Sequence, residues 1–323
     1  MLFDSPFPLL ISGLAIFLLG VYLLSKHAEA LARDSVRDRL QNITGRPLVA
    51  LGSGLLTTAI VQSSSLISSL AVVLSGSKLI TIRSGILIFL GANIGTTILD
   101  QFIASPALGW GPYILLIGAI LFIISYQRSA VRFASLVTIT IGMIFLGIFL
   151  MSHAFSSAWD LSFQLQVIEL IKNPWLVFLA GIIITAVIQS SSASTGITLA
   201  LVISGVVPAI ALIPFFLGAD IGTTITENIA SLLTKRPGKV VARASFVFSL
   251  IVGLIVMALL PQFTSFMQAI TPETANPARL LANAHILVNV VSVLLALPFI
   301  GYLEKLGSAL VPNSKPWATT STS

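Results

Sequence analysis

The stretch Thr58 to Ser65 reads TAIVQSSS and returns as Thr185 to Ser192, TAVIQSSS, while Gly91 to Ile98, GANIGTTI, returns as Gly218 to Ile225, GADIGTTI. The two pairs share one offset, since 185 minus 58 and 218 minus 91 both give 127. The same offset carries Gly20, Leu23 and Ser25 onto Gly147, Leu150 and Ser152, and Pro47 and Gly54 onto Pro174 and Gly181. One unit is written twice, so the fold must be one that two copies complete together. Polar signatures duplicated inside apolar sequence mark a carrier with internal repeats, because the two copies build one midplane site between them.

The apolar background sets the solvent. With 56% hydrophobic and 9% charged residues and a mean hydropathy of +1.03, the 323 residues have too little polar surface to cover a globule in water. The chain belongs in lipid. Met1 to Pro8 holds an acidic residue and no basic one, and no small-residue cleavage site follows, so the first apolar segment is expected to stay rather than be removed as a signal peptide. The absence of cysteine excludes a disulfide framework, a thiolate metal site and a cysteine nucleophile, and three scattered histidines give no metal-ligand spacing. A net charge of +6 does not point to nucleic acid, because the basic residues sit in loops beside apolar segments, where membrane topology explains them.

A helix needs roughly 20 apolar residues to cross the hydrocarbon. Five segments fit: Phe7 to Leu24, Gly111 to Tyr126, Phe133 to Ser152, Val240 to Leu260 and Leu280 to Leu303. Leu79 to Ala104 and Val207 to Leu232 are also long enough, but each carries G-A-x-I-G-T-T near its centre. Small and hydroxyl residues there predict broken helices whose freed backbone lines a cavity. Pro47 to Ser75 and Pro174 to Ser204 are too short for two crossings and too long for one, so each predicts a re-entrant hairpin with QSSS at its tip. Lys26 to Asn42 and Ala154 to Lys172 read as interfacial helices, and Pro312 to Ser323 as a disordered tail.

The fold class expected is thus an all-α polytopic membrane protein with two inverted-topology repeats, each with a re-entrant helical hairpin and a broken transmembrane helix. Residues 1–132 form the first repeat, 133–262 the second, 263–311 a loop and final span, and 312–323 the tail. Three crossings per repeat, an odd number, make the second copy enter from the opposite face. Seven crossings put Lys26, Arg33, Arg37, Arg39, Arg46, Lys78, Arg83, Arg128, Arg132, Lys235, Arg236, Lys239, Arg243, Lys305 and Lys315 on one face, 15 of the 17 basic residues, with only Lys172 and Arg279 opposite. That asymmetry assigns the crowded face to the cytoplasm, placing the N-terminus outside and the C-terminus inside.

At a hairpin tip, QSSS offers an amide, three hydroxyls and the free N–H groups of the half-helix that starts there. Helix N-termini bind oxyanions without a cationic side chain, and neither hairpin holds Lys or Arg between Leu48 and Leu74 or between Trp175 and Ile203. The same hydroxyls and carbonyls can ligate sodium, whose charge would offset the anion's in low dielectric. Serines also let helices pack closely, but packing does not require an amide and three hydroxyls repeated at equal offset.

The G-A-x-I-G-T-T elements differ at Asn93 and Asp220. An ionisable group near the midplane costs several kcal/mol if unpaired, so Asp220 is expected to face a cation, a proton or a cavity. Asp100 and Glu227 also match at offset 127 and read as carboxylates near helix ends. His285 and Asn289, four apart, share one helix face, and a histidine hydrogen-bonded to a helix partner is favoured there over a proton relay. Trp110, Trp159 and Trp175 mark interfacial anchors. No serine has a His and acid in triad context and no phosphate loop precedes a soluble helix, so no enzyme activity is expected.

At these residues the chain resembles the type II sodium-dependent phosphate cotransporter family. The likeness spans roughly residues 7 to 303 and rests on both QSSS blocks, both glycine-threonine elements and the closing NPARLLANAHILVN, Asn276 to Asn289. What it implies is sodium-coupled movement of inorganic phosphate by alternating access across the plasma membrane. Phosphate would lie against Gln62, Ser63, Ser64, Ser65, Gln189, Ser190, Ser191 and Ser192. Sodium would lie among Gln62, Ser65, Asn93, Thr96, Thr97, Gln189, Ser192, Asp220, Thr223 and Thr224. The implied partners are phosphate, sodium and the bilayer, with no nucleic acid and no cofactor beyond the coupling ion; the oligomeric state stays open, a dimer included. The family usually has Asn in both glycine-threonine elements, so Asp220 is a departure that bears on the cation sites. Many bacterial relatives append a regulator-like helical domain, and this sequence is expected to lack regulation through one. The residues leave open a phosphate exporter, a carrier of another oxyanion, and a passive anion channel.

Overall fold

The computed structural model describes residues 6–41, 46–125, 129–157, 161–272 and 276–312, and all regular structure among them is helical. Seven of these helices are long and apolar enough to cross a membrane, or up to eight if one bent pair counts as a span. They begin with α1 (Pro6–Gln41), whose apolar part is Pro6–His27, so Lys26 to Gln41 continues the first span instead of forming a separate interfacial helix, Asn42 lying outside the described residues. Next come two short helices, α2 (Pro47–Val61) and α3 (Ser64–Gly76), and the spans α4 (Ile82–Ile103), α5 (Gly111–Ile124) and α6 (Ser129–Ser157). A short helix, α7 (Leu161–Ile171), then meets α8 (Pro174–Ile188) at 98°. The chain continues through α9 (Ser191–Ile203), α10 (Ile213–Leu232), α11 (Arg236–Ala258), α12 (Leu260–Ile270), α13 (Pro277–Ala296) and α14 (Ile300–Ala309). Trp159 and residues 313–323, the predicted tail but for Pro312, lie outside the described residues.

The duplication is visible in the backbone. Adding 127 to the bounds of α2 and α3 gives those of α8 and α9 without remainder. Four positive-φ residues occur among the described residues, Gln62, Lys78, Gln189 and Gly205, and they too form two pairs at that offset. Pro at the start of α2 and α8 suits a first turn whose N–H groups lack helical partners, and Asn173 caps α8 by accepting from the N–H groups of Trp175 and Leu176. At 15 and 13 residues, the members of each pair are about 22 and 20 Å long, short of the roughly 30 Å hydrocarbon core. Each pair is interrupted at QSSS, where Gln62 or Gln189 takes the left-handed conformation between the two helices.

The expectation of broken helices is not met: α4 and α10 run unbroken through G-A-N-I-G-T-T and G-A-D-I-G-T-T. The glycines serve close packing. A Cβ on Gly91 would stand 2.0 Å from the Leu51 carbonyl oxygen, and one on Gly54 2.0 Å from that of Ile88, so α2 lies backbone to backbone on α4. The second copy repeats this, with Gly218 against Phe178 and Gly181 against Phe215, each at 2.1 Å. The threonines bond back into their own helices: Thr96 and Thr223 donate to the carbonyls of Ala92 and Ala219, and Thr97 and Thr224 to those of Ile94 and Ile221. Hydroxyls that could have unwound the backbone satisfy themselves on it.

These two helices are also central. Of the seven spans, α4 and α10 have the most buried apolar windows, 72% and 67%, against 22% for α1 and 17% for α5. Helix α5 presents Leu116, Ile117, Ile123 and Ile124 outward, surface suited to lipid. Helix α13 packs against both α4 and α10, which brings the last span into the middle of the molecule.

Candidate functional site

The QSSS tip is a helix stop followed at once by a helix start. Gln62 caps α2 in the left-handed region, φ 57° and ψ 28°, with its N–H on the Thr58 carbonyl at 2.7 Å; Gln189 does the same for α8 at φ 56° and ψ 27°, on Thr185 at 2.7 Å. A glutamine in that conformation costs about 1 kcal/mol or more relative to ordinary backbone. Ser63 and Ser190 then cap the next helices, accepting from the N–H groups of Leu66 and Ala193. Ser64 and Ser191 are therefore the first residues of α3 and α9, where unpaired N–H groups and the positive end of the dipole are concentrated.

The two tips meet head to head. Ser64 Oγ and Ser191 Oγ share a hydrogen bond at 3.4 Å, and Ser192 Oγ donates to the Gln62 carbonyl at 3.3 Å. Both first serines are buried, at 5% and 7% exposure, and Gln62 Oε1 is a buried acceptor with no hydrogen-bond partner. Gln62 Nε2 donates to the Ala59 carbonyl, while Gln189 is exposed. Hydroxyls this close leave no space between them for an oxyanion, so the tips must part, or the anion must lie beside them, for both to bind it.

A second polar group lies around α13. His285 Nδ1 is 2.5 Å from Asp100 Oδ2 on α4, and His285 Nε2 is 3.3 Å from Asp220 Oδ1 on α10. Asn289 donates to Asp220 Oδ2 at 3.4 Å, so the one-face reading of His285 and Asn289 holds, with Asp220 as the shared partner. The Phe216 ring tilts over the imidazole at 4.7 Å, keeping one side of it apolar. Asn93 and Asp220, equivalent by offset, line the same small cavity with Ser249, Asn289 and Ser292. Asp220 thus does face a cavity. No hydrogen bond joins this group to the serine tips among the described residues; the eight tip residues and Asn93 with Asp220 are two neighbourhoods, and Thr96, Thr97, Thr223 and Thr224 bond within their own helices.

The link from Asp100 through His285 to Asp220 escaped sequence reasoning, which paired His285 only with an unspecified helix partner. The spacing of His285 and Asn289 indicates a shared face, but nothing local says that α13 wedges between α4 and α10. Beside this link, Arg279 donates to Gln101, and Gln101 donates to Asn283, tying the start of α13 to the end of α4.

A profile of the family described as Na+/Pi-cotransporter matches residues 16–153 and again 148–272. YqeW of Bacillus subtilis (strain 168), itself uncharacterized, is 29% identical over 92% of this chain and 95% of its own length. YjbB of Escherichia coli (strain K12), which carries the provisional name of an inorganic phosphate export protein, is 23% identical over 94% of this chain. The chain spans 55% of that relative's length. The human sodium-dependent phosphate transport protein 2B is 40% identical over 65 residues, 20% of this chain and 9% of that protein. No solved structure matches.

Proposed function

The chain belongs to the Na+/Pi-cotransporter family, and on that premise we propose that this multi-pass membrane protein carries inorganic phosphate across the plasma membrane in step with sodium. The observation that carries the reading is the meeting of Ser64 and Ser191 at the N-termini of two half-helices that hold no basic residue. Phosphate is held by the hydroxyls and N–H groups of Gln62 to Ser65 and Gln189 to Ser192 once the tips part. Sodium is held among the amide, hydroxyl and carboxylate oxygens of Gln62, Ser65, Asn93, Thr96, Thr97, Gln189, Ser192, Asp220, Thr223 and Thr224. The back-bonded threonine hydroxyls spend their protons on their own helices and keep oxygen lone pairs for a cation.

Residues 1–132 and 133–262 are two repeats of opposite orientation in the bilayer, with the N-terminus outside and the C-terminus in the cytoplasm. Movement of one part against the rest would expose the site to each side in turn. Sodium favours the phosphate-competent arrangement because opposite charges in a low-dielectric interior stabilise each other. Export is the second reading, favoured by the likeness to YjbB along almost the whole of this chain.

Radiolabelled phosphate flux in proteoliposomes, with sodium, lithium, potassium or proton gradients imposed in turn, tests the coupling. An inward sodium gradient should drive phosphate above its equilibrium level. Flux that follows the phosphate gradient alone would contradict sodium coupling.

A further inference from the structure

Asp100 and Glu227 occupy equivalent positions, 227 minus 100 giving 127, yet only one of them has an ionisable partner among the described residues. Asp100 is met by His285. Glu227, 1% exposed on α10, lies beside the hydroxyls of Ser68 on α3 and Ser245 on α11, themselves 1% and 0% exposed. Its Oε2 is buried without a hydrogen-bond partner, and the Ser68 hydroxyl is likewise unpartnered. No basic side chain pairs with Glu227 among the described residues. Arg243, on the neighbouring helix α11, is committed to Asn228 Oδ1 at 2.5 Å. The Ser245 hydroxyl donates its proton to the Val241 carbonyl at 3.0 Å, which turns its lone pairs to outside partners.

A carboxylate buried in this way stands only with a cation beside it or a proton on it. Carboxylate and hydroxyl oxygens from three helices converging on one buried point are what a small hard cation takes, and too few to make a divalent cage. We infer that Glu227, Ser68 and Ser245 form a sodium site distinct from the serine tips and from the Asn93–Asp220 cavity. The inference rests on the reading of this chain as a sodium-coupled carrier. Ser68 lies one helical turn beyond Ser64 on the same face of α3, so a cation here sits behind the first serine of the tip and makes anion binding there more favourable.

Equilibrium binding of radiolabelled sodium to purified protein in lipid nanodiscs, without phosphate, tests the site apart from transport. Glu227→Gln should abolish one component of saturable sodium binding, and Ser68→Ala and Ser245→Ala should each raise half-saturating sodium by roughly threefold to tenfold. The two serine variants decide the matter if Glu227→Gln does not fold. Sodium binding by Glu227→Gln equal to wild type would overturn the inference and leave Glu227 as a protonated acid. Absence of saturable sodium binding in the wild type would overturn it as well. Sodium-independent phosphate flux alongside saturable sodium binding that needs Glu227 would instead remove the coupled-carrier reading and leave the site standing.

Discussion

Ser64 and Ser191, 127 residues apart in sequence, touch through their hydroxyls at 3.4 Å. Each is the first residue of a half-helix that follows a left-handed glutamine and a capping serine, so the contact joins equivalent points of the two copies. The chain has no cysteine to confuse a crosslinking test. A Ser64→Cys, Ser191→Cys double variant should form a disulfide under mild oxidant, because the hydroxyl separation is close to what a sulfur pair can bridge with small movement. The reduced double variant should carry phosphate more slowly than wild type because both hydroxyls are gone, crosslinking should abolish the flux that is left, and reductant should return it to that lower level; equal flux in the crosslinked and reduced variant would show that the tips need not part.

His285 should be as important to stability as to any ion step. Its two ring nitrogens reach carboxylates on α4 and α10, and removing the imidazole leaves the buried Asp100 without its histidine partner, while part-exposed Asp220 keeps Asn289. His285→Ala should destabilise the protein by about 3–5 kcal/mol, the usual result of breaking a buried pair. Thermal unfolding in detergent checks this, and a melting temperature equal to wild type would contradict it.

The glycines of the G-A-x-I-G-T-T elements should tolerate nothing larger. A methyl group at Gly91 would overlap the Leu51 carbonyl oxygen, a rigid backbone atom that cannot turn aside. Gly91→Ala and Gly218→Ala should each cost about 1–3 kcal/mol or more by forcing α4 from α2 or α10 from α8. Gly52, with open space where its Cβ would be, is the control: Gly52→Ala should leave the melting temperature unchanged or raise it slightly.

Those same glycines show where the sequence could be read and where it could not. Repetition at offset 127 located both pairs of short helices to within a residue, because a Q-S-S run that stops one helix and caps the next is a local instruction. Span positions were equally legible, since length and hydropathy are local too. Gly91, Gly95, Thr96 and Thr97 misled: small and hydroxyl residues unwind a helix or let another helix come close, and only the neighbour decides which. Leu51 and Leu55 of α2, which supply the close carbonyls, lie about 40 residues upstream with nothing to mark them. The partners of His285 were hidden for the same reason. Its acids come from α4 and α10, and no periodicity within α13 reports which helices flank it.

The central claim is that the paired tips bind phosphate together. Equilibrium binding of radiolabelled inorganic phosphate to purified protein at saturating sodium, comparing wild type with the Ser64→Ala, Ser191→Ala double variant, tests it most directly. Loss of one charge-assisted hydroxyl contact from each tip should weaken binding by about 100-fold or more. Phosphate bound by the double variant as tightly as by wild type, in protein of unchanged melting temperature, would place the substrate elsewhere and contradict the account.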